Sequence, residues 1–191
     1  MSMNEDERRE LLRLAREAIR MRLLDAHDLR PTRAEFPEDK FWQKQGVFVT
    51  LTLHGELRGC IGNIMPVLPL VEAVVSNALA AAFDDPRFEP VDEMEFADLC
   101  IEVSLLSVPV ELAFSTLGDL ESKLAAARPG VILQHGRYQA TFLPQVWEQL
   151  PDARGFLEAL IRKAGLPASS LSQPGLMVFT YTVEAFSEEC D

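Results

Sequence analysis

A chain of 191 residues with 48% hydrophobic content can bury a substantial core, and no window approaches the ~20 uninterrupted apolar residues of a membrane span. The net charge of −12 is uneven: residues 1–33 carry eight Arg and seven Asp or Glu, while the rest holds ten basic and 23 acidic residues. Such an acidic surface repels phosphate backbones and argues against nucleic acid as a partner, and the charged N-terminus, without an apolar targeting core, points to a cytoplasmic protein with no membrane association.

Asn4 with Glu7 three residues later has the form of a capping box, and Leu11, Leu12, Ala15, Ala18, Ile19 and Leu23 follow at helical spacing. A connection containing Pro31 leads to "GVFVTLTLHGELRGCIG", an alternating pattern that predicts a hairpin turning near His54-Gly55. Pro69 fits the first turn of a helix whose Leu70, Val71, Val74, Val75, Ala78, Leu79 and Ala82 form an apolar stripe ending near Phe83. In "FDDPRFEP" Asp85 precedes a proline, which disfavours helix and makes an ordered turn carrying Arg87 and Phe88.

"DLCIEVSLLS" alternates as a strand, a short helix spans about Thr116 to Arg128, and "VILQHGRYQATFLP" predicts a second hairpin around His135-Gly136. Asp152 is placed to cap a helix with Phe156, Leu157, Leu160 and Ile161 on one face, and "LMVFTYTV" reads as a late strand. Hairpins and helices in this order predict an α+β fold with a mainly antiparallel sheet flanked by helices. Cys60, Cys100 and Cys190 are odd in number and lack C-x-x-C spacing, so three reduced thiols are expected. His27, His54 and His135 are scattered, and neither a metal site nor a cofactor is expected.

The stretch "GELRGCIGNIMP" sets Arg58 and Cys60 on one strand, about 7 Å apart, with Gly59 and Gly62 beside them. A two-residue hairpin loop would place both beside Val49, Leu51 and Leu53. A three-residue loop, Leu53-His54-Gly55 with Gly55 left-handed, opposes Thr50 to Arg58 and Phe48 to Cys60; it unites the apolar rows and is the expected register, with Arg58, Cys60, Thr50 and Thr52 on a more polar face. An arginine so placed can favour a thiolate or grip a carboxylate or phosphate, and the glycines permit a bulge or close approach. The same residues also suit a structural role, with Cys60 a small core residue and Arg58 an internal ion-pair partner.

Between Gln45 and Ser122, a span of 78 residues holding 13 Asp or Glu, Arg58 and Arg87 are the only basic residues. Each therefore has a specific partner, with Asp84, Asp85 and Glu102 as internal candidates. The "DDPRF" turn is expected to pack against the "LRGCIG" strand. His54 lies in a turn that recurs as His135-Gly136, so turn chemistry accounts for it without a catalytic role. Glu102 and Ser104 interrupt the apolar pattern of their strand and mark either a solvent-facing sheet surface or a pocket.

"LRGCIG", "AAFDDPRFEPV", "IEVSLLS" and "FLPQVWEQ" with the later "FLEALIRKAGL" lie in order along the chain, and on them it resembles the AMMECR-one domain family, with "LRGCIG" as the hallmark. The resemblance implies one domain over residues 1–191. In it, a larger lobe contains both termini and a mostly antiparallel sheet, a smaller lobe is inserted, and the hallmark lies near the cleft between them. No firmly assigned reaction comes with the family. Prokaryotic relatives are often encoded beside a Memo-type protein and a radical S-adenosylmethionine enzyme, which implies a role alongside those partners. The expected function is a binding or adaptor module holding an anionic small molecule or partner segment at Arg58, Gly59, Gly62, Asp84, Asp85, Arg87 and Glu102. The alternative is a thiol-dependent enzyme with Cys60 as nucleophile, for which no general base is evident.

Overall fold

The structure, a computed structural model, describes residues 2–25 and 27–190. In chain order these form α1 (Glu5–Arg20), β1 (Gly46–Leu53), β2 (Glu56–Asn63), α2 (Leu70–Phe83), α3 (Glu93–Phe96), β3 (Leu99–Leu106), β4 (Val110–Glu111), α4 (Leu117–Ala127), β5 (Gly130–His135), β6 (Tyr138–Phe142), α5 (Val146–Gln149), α6 (Ala153–Lys163), β7 (Leu176–Tyr181) and β8 (Val183–Ser187). They build an α+β fold with two four-stranded sheets, ordered β2-β1-β3-β8 and β4-β7-β5-β6; every strand pairing with a described register is antiparallel. The chain divides into two compact units, Met1–Val108 with Glu184–Asp191 and Pro109–Val183. No helix among the described residues is long and apolar enough to cross a membrane.

In the first unit, Asn4 caps α1 through a complete capping box with Glu7, and Glu5, Asp6 and Glu7 favour the positive end of the helix dipole. Its buried face is Leu11, Leu12, Leu14, Ala15, Ala18 and Ile19. The expected continuation to Leu23 does not hold: the chain widens at Met21–Asp25 into a π-type turn with no buried residue. The wider winding rotates Leu23 off the stripe.

Pro69 precedes α2, which buries nine of its residues and packs against both α1 and β1. Contact on two sides explains why it is apolar nearly all round instead of carrying one stripe. The sheet face beneath it is set by strict alternation: Val47, Val49 and Leu51 of β1 lie opposite Leu105, Val103 and Ile101 of β3, all buried.

In the second unit, Asp152 caps α6 by accepting from the Gly155 amide at 2.7 Å, and Gly165 closes the helix in a left-handed conformation. Phe156 stacks on Trp147 at 3.8 Å between ring centroids, in a core shared with Leu120, Leu124, Val131, Leu133, Leu160 and Val178. The second hairpin turns at Gly136-Arg137, with Gly136 supplying the positive φ. The late apolar run is two strands, not one: β7 and β8 flank Thr182 and belong to different sheets.

The expectation of three reduced thiols is overturned, because Cys100 and Cys190 form a disulfide and Cys60 alone is free. Hydrogen bonds between Glu188 and Ile101, from amide to carbonyl and from amide to carboxylate, lay the segment after β8 along β3. That places residue 190 beside residue 100. A pairing across 90 residues depends on topology and leaves no spacing signature.

Candidate functional site

The "LRGCIG" segment is β2, an edge strand of the first sheet. Its hairpin differs from the expected register. The turn has two residues, His54 and Gly55, both with positive φ, so that Leu53 pairs with Glu56 and Thr52 with Leu57. A β-bulge follows: Leu51 pairs with Gly59 and Thr50 with Cys60, leaving Arg58 as the extra residue. The bulge restores the polar face that a two-residue turn alone would have inverted. Cys60 therefore stands beside Thr50, whose hydroxyl donates to Cys60 Sγ at 3.4 Å.

The hydrogen bonds of the Arg58 guanidinium all go to Glu95. Nε donates to Oε1 at 2.9 Å and Nη2 to Oε2 at 2.8 Å, and the Arg58 side chain is only 13% exposed. Glu95 closes the capping box of α3 with Asp92, so helix capping orients the carboxylate that receives Arg58. The hydrogen bond to Glu95 raises the pKa of Arg58, and the reciprocal bond lowers that of Glu95. Arg58 Nη1 is buried without a hydrogen bond, and the guanidinium carbon stands 5.9 Å from the centre of the Phe88 ring. Arg58 is therefore an internal ion-pair partner, but Glu95 holds it and none of Asp84, Asp85 and Glu102 does.

The "DDPRF" turn lies against the outer edge of β2. Asp85 Oδ2 accepts from the Cys60 amide at 2.9 Å, and the Cys60 carbonyl accepts from Arg87 Nη2 at 3.3 Å. Asp85 also receives the Arg87 amide at 3.1 Å, Nε at 2.9 Å and Nη2 at 2.6 Å. The turn thus supplies the amide acceptor and carbonyl donor that a neighbouring strand would have supplied. Arg87's bonds, supported by the two amides, hold the buried Asp85 carboxyl far below the ordinary carboxylate range. Arg87 is 53% exposed and, like Arg58, stands over Phe88, at 5.4 Å.

Both glycines are places of close approach. A Cβ on Gly59 would sit 2.1 Å from the Ala81 carbonyl oxygen of α2, and one on Gly62 would sit 2.3 Å from the ring of Phe48, its cross-strand partner. Glu102 lies across Thr50 from Cys60, so Cys60, Thr50 and Glu102 form one row over β2, β1 and β3. Glu102 is half-buried and accepts from the hydroxyl of buried Ser104 at 3.3 Å. Asp84 stands apart: it is exposed and lines a different depression with Arg22, Asp28, Ser76 and Ala80.

The structure thus gathers Arg58, Gly59, Cys60, Gly62, Asp85 and Arg87, places Glu102 two strands away on β3, and leaves Asp84 out. Sequence reasoning missed Glu95, although "DEME" has the spacing of the capping box that fixes it. No His or carboxylate is hydrogen-bonded to Cys60 Sγ among the described residues, and no group of three His, Cys, Asp or Glu there is placed to hold a metal ion. Arg58→Lys is expected to cost about 1.5 kcal/mol in urea denaturation, since an ammonium replaces one fork of a bidentate pair. A loss under 0.3 kcal/mol would show that the fork contributes nothing.

The family model described as AMMECR1 matches residues 12–186. A protein of Thermococcus onnurineus is 41% identical over 187 residues, covering 94% of this chain and 89% of its own length. A protein of Methanothermobacter thermautotrophicus is 38% identical over 191 residues, covering 98% and 97%. The crystal structure of the uncharacterised protein PH0010 from Pyrococcus horikoshii superposes with a TM-score of 0.85 at 36% identity, over 98% of this chain and 94% of that one. On a match that spans nearly all of the sequence and extends to the fold, the chain belongs to the AMMECR1 family.

Proposed function

We propose that this protein is a binding or adaptor module that takes an anionic group, a carboxylate or phosphate of a small molecule or of a partner segment, at the exposed end of Arg87 beside Cys60. It works in the cytoplasm alongside a Memo-type protein and a radical S-adenosylmethionine enzyme. The observation that carries this reading is the state of Arg87. Asp85 engages its Nε and Nη2, while Nη1 makes no hydrogen bond among the described residues on a side chain that is 53% exposed. A guanidinium fixed in this way has already lost rotamer freedom and binds an anion at reduced entropic cost. Arg58, paired with Glu95, stands over the same Phe88 ring as Arg87.

The thiol-enzyme alternative requires a group that takes the Cys60 proton, and the hydrogen bond received from Thr50 does not do that. Calorimetric titration with inorganic phosphate, citrate and the purified partner proteins tests the reading. Arg87→Gln is expected to weaken the binding partner or anion at least tenfold, with the folded state checked by circular dichroism, while Cys60→Ala stays within threefold. Loss of binding in Cys60→Ala with Arg87→Gln unaffected would overturn it in favour of thiol chemistry.

A further inference from the structure

The Cys100–Cys190 disulfide lies outside the Arg87 site and has a different setting from a core staple. Cys100 is half-buried on β3, whereas Cys190 is exposed at the end of the described tail. The tail is anchored through Glu188, which receives Arg16 Nε and Nη2, each at 2.6 Å, and is tied to Ile101 on both its amide and its carboxylate. Past Glu188 the described backbone makes no further hydrogen bond to the sheet, so the sulfur bond holds residues 189 and 190 in place.

Glu188, Glu189 and Cys190 line a depression of about 640 Å³ together with Arg16, Thr52, His54 and Leu99. A segment held by one exposed sulfur is open to thiol exchange, because accessible disulfides are the reducible ones.

We infer that the Cys100–Cys190 bond is a reducible clasp: a dithiol reductant opens it, frees the tail from Glu188 onward, and widens the depression that the tail lines with Thr52 and His54. In the step, a thiolate of the dithiol attacks exposed Cys190 Sγ and Cys100 leaves as a thiolate that takes a proton. The second thiol of the reductant then attacks the mixed disulfide, closing its own disulfide and releasing Cys190, which is protonated in turn. Two electrons and two protons pass from the dithiol to the protein. Cys60 takes no part, and the clasp is independent of anion binding at Arg87.

The test uses the full chain, equilibrated with oxidised and then with reduced dithiothreitol. Alkylation in acid-quenched denaturant should count one free thiol, Cys60, in the oxidised protein and three in the reduced one. Hydrogen exchange followed by mass spectrometry should show at least tenfold faster exchange in peptides covering the Glu188 and Ile101 amides, which bond the tail to β3, on reduction. Cys190→Ser should show the fast exchange under both conditions, and Cys60→Ser should behave as wild type. Three free thiols after oxidation would overturn the inference. So would a disulfide whose reduction leaves exchange in both segments unchanged.

Discussion

Asp85→Ala is expected to cost about 3 kcal/mol of folding stability in urea denaturation, the largest loss of any single charged residue around β2. The carboxylate is 4% exposed and gathers the Cys60 amide, the Arg87 amide and two guanidinium nitrogens. Its removal leaves the Cys60 amide unpaired at the edge of the sheet and releases Arg87 from its fixed pose. Asp85→Asn keeps one acceptor but no charge and should fall between, at about 2 kcal/mol. Exposed Asp84, one residue earlier, should change stability by less than about 0.5 kcal/mol on substitution by alanine.

The loss should also depend on pH with a definite sign. Because bonding to Arg87 lowers the folded pKa of Asp85 below its ordinary 3.8, the stabilisation is complete above the unfolded value and is lost as pH falls through the folded one. The gap between wild type and Asp85→Ala should therefore be constant near neutrality and narrow below about pH 4. Glu95, whose pKa is also lowered, is present in both proteins, so its contribution largely cancels in the difference. A loss under 1 kcal/mol, or a gap that widens in acid, would show that the turn does not anchor the strand.

Helix and strand positions around this site were legible because local chemistry decides them: Asn4 and Asp152 cap, Pro69 opens α2, and alternation sets the inward faces of β1 and β3. The proximity of "DDPRF" to "LRGCIG" was legible for another reason, since two isolated arginines in an acidic stretch require partners. Which carboxylate meets which arginine was not legible. Arg58 reaches Glu95 because a bulge displaces it by one residue, and nothing in "GELRGC" distinguishes a two-residue turn with a bulge from a three-residue turn. Both satisfy the apolar rows, and only the complete ladder, with Leu51 on Gly59 and Thr52 on Leu57, separates them. The disulfide was hidden for a similar reason, because the contact between β3 and the C-terminal segment depends on the sheet order.

Gly59→Ala is expected to be at least as damaging as the loss of Asp85, costing about 3 kcal/mol or more, or preventing accumulation of folded protein. Gly59 faces α2 on the buried side of the sheet, opposite fully buried Leu51. An added methyl would lie 2.1 Å from the Ala81 carbonyl oxygen and 3.1 Å from its carbon. Those are backbone atoms of a helix packed on β1 behind, so no rotamer change relieves the overlap. Either β2 or the last turn of α2 must move, and the "DDPRF" turn that leaves this helix moves with it. The substitution should therefore also disturb Asp85 on Cys60 and weaken anion binding at Arg87, although Gly59 touches no ligand. The cost is steric, since Gly59 has no left-handed backbone conformation to lose. Gly118→Ala is the control. It lies in the first turn of α4 with open space beyond the helix for the added methyl, and should change stability by less than about 0.5 kcal/mol. Gly59→Ala retaining wild-type stability would mean that strand and helix are not in contact there, and the architectural account of the first glycine in "LRGCIG" would fail.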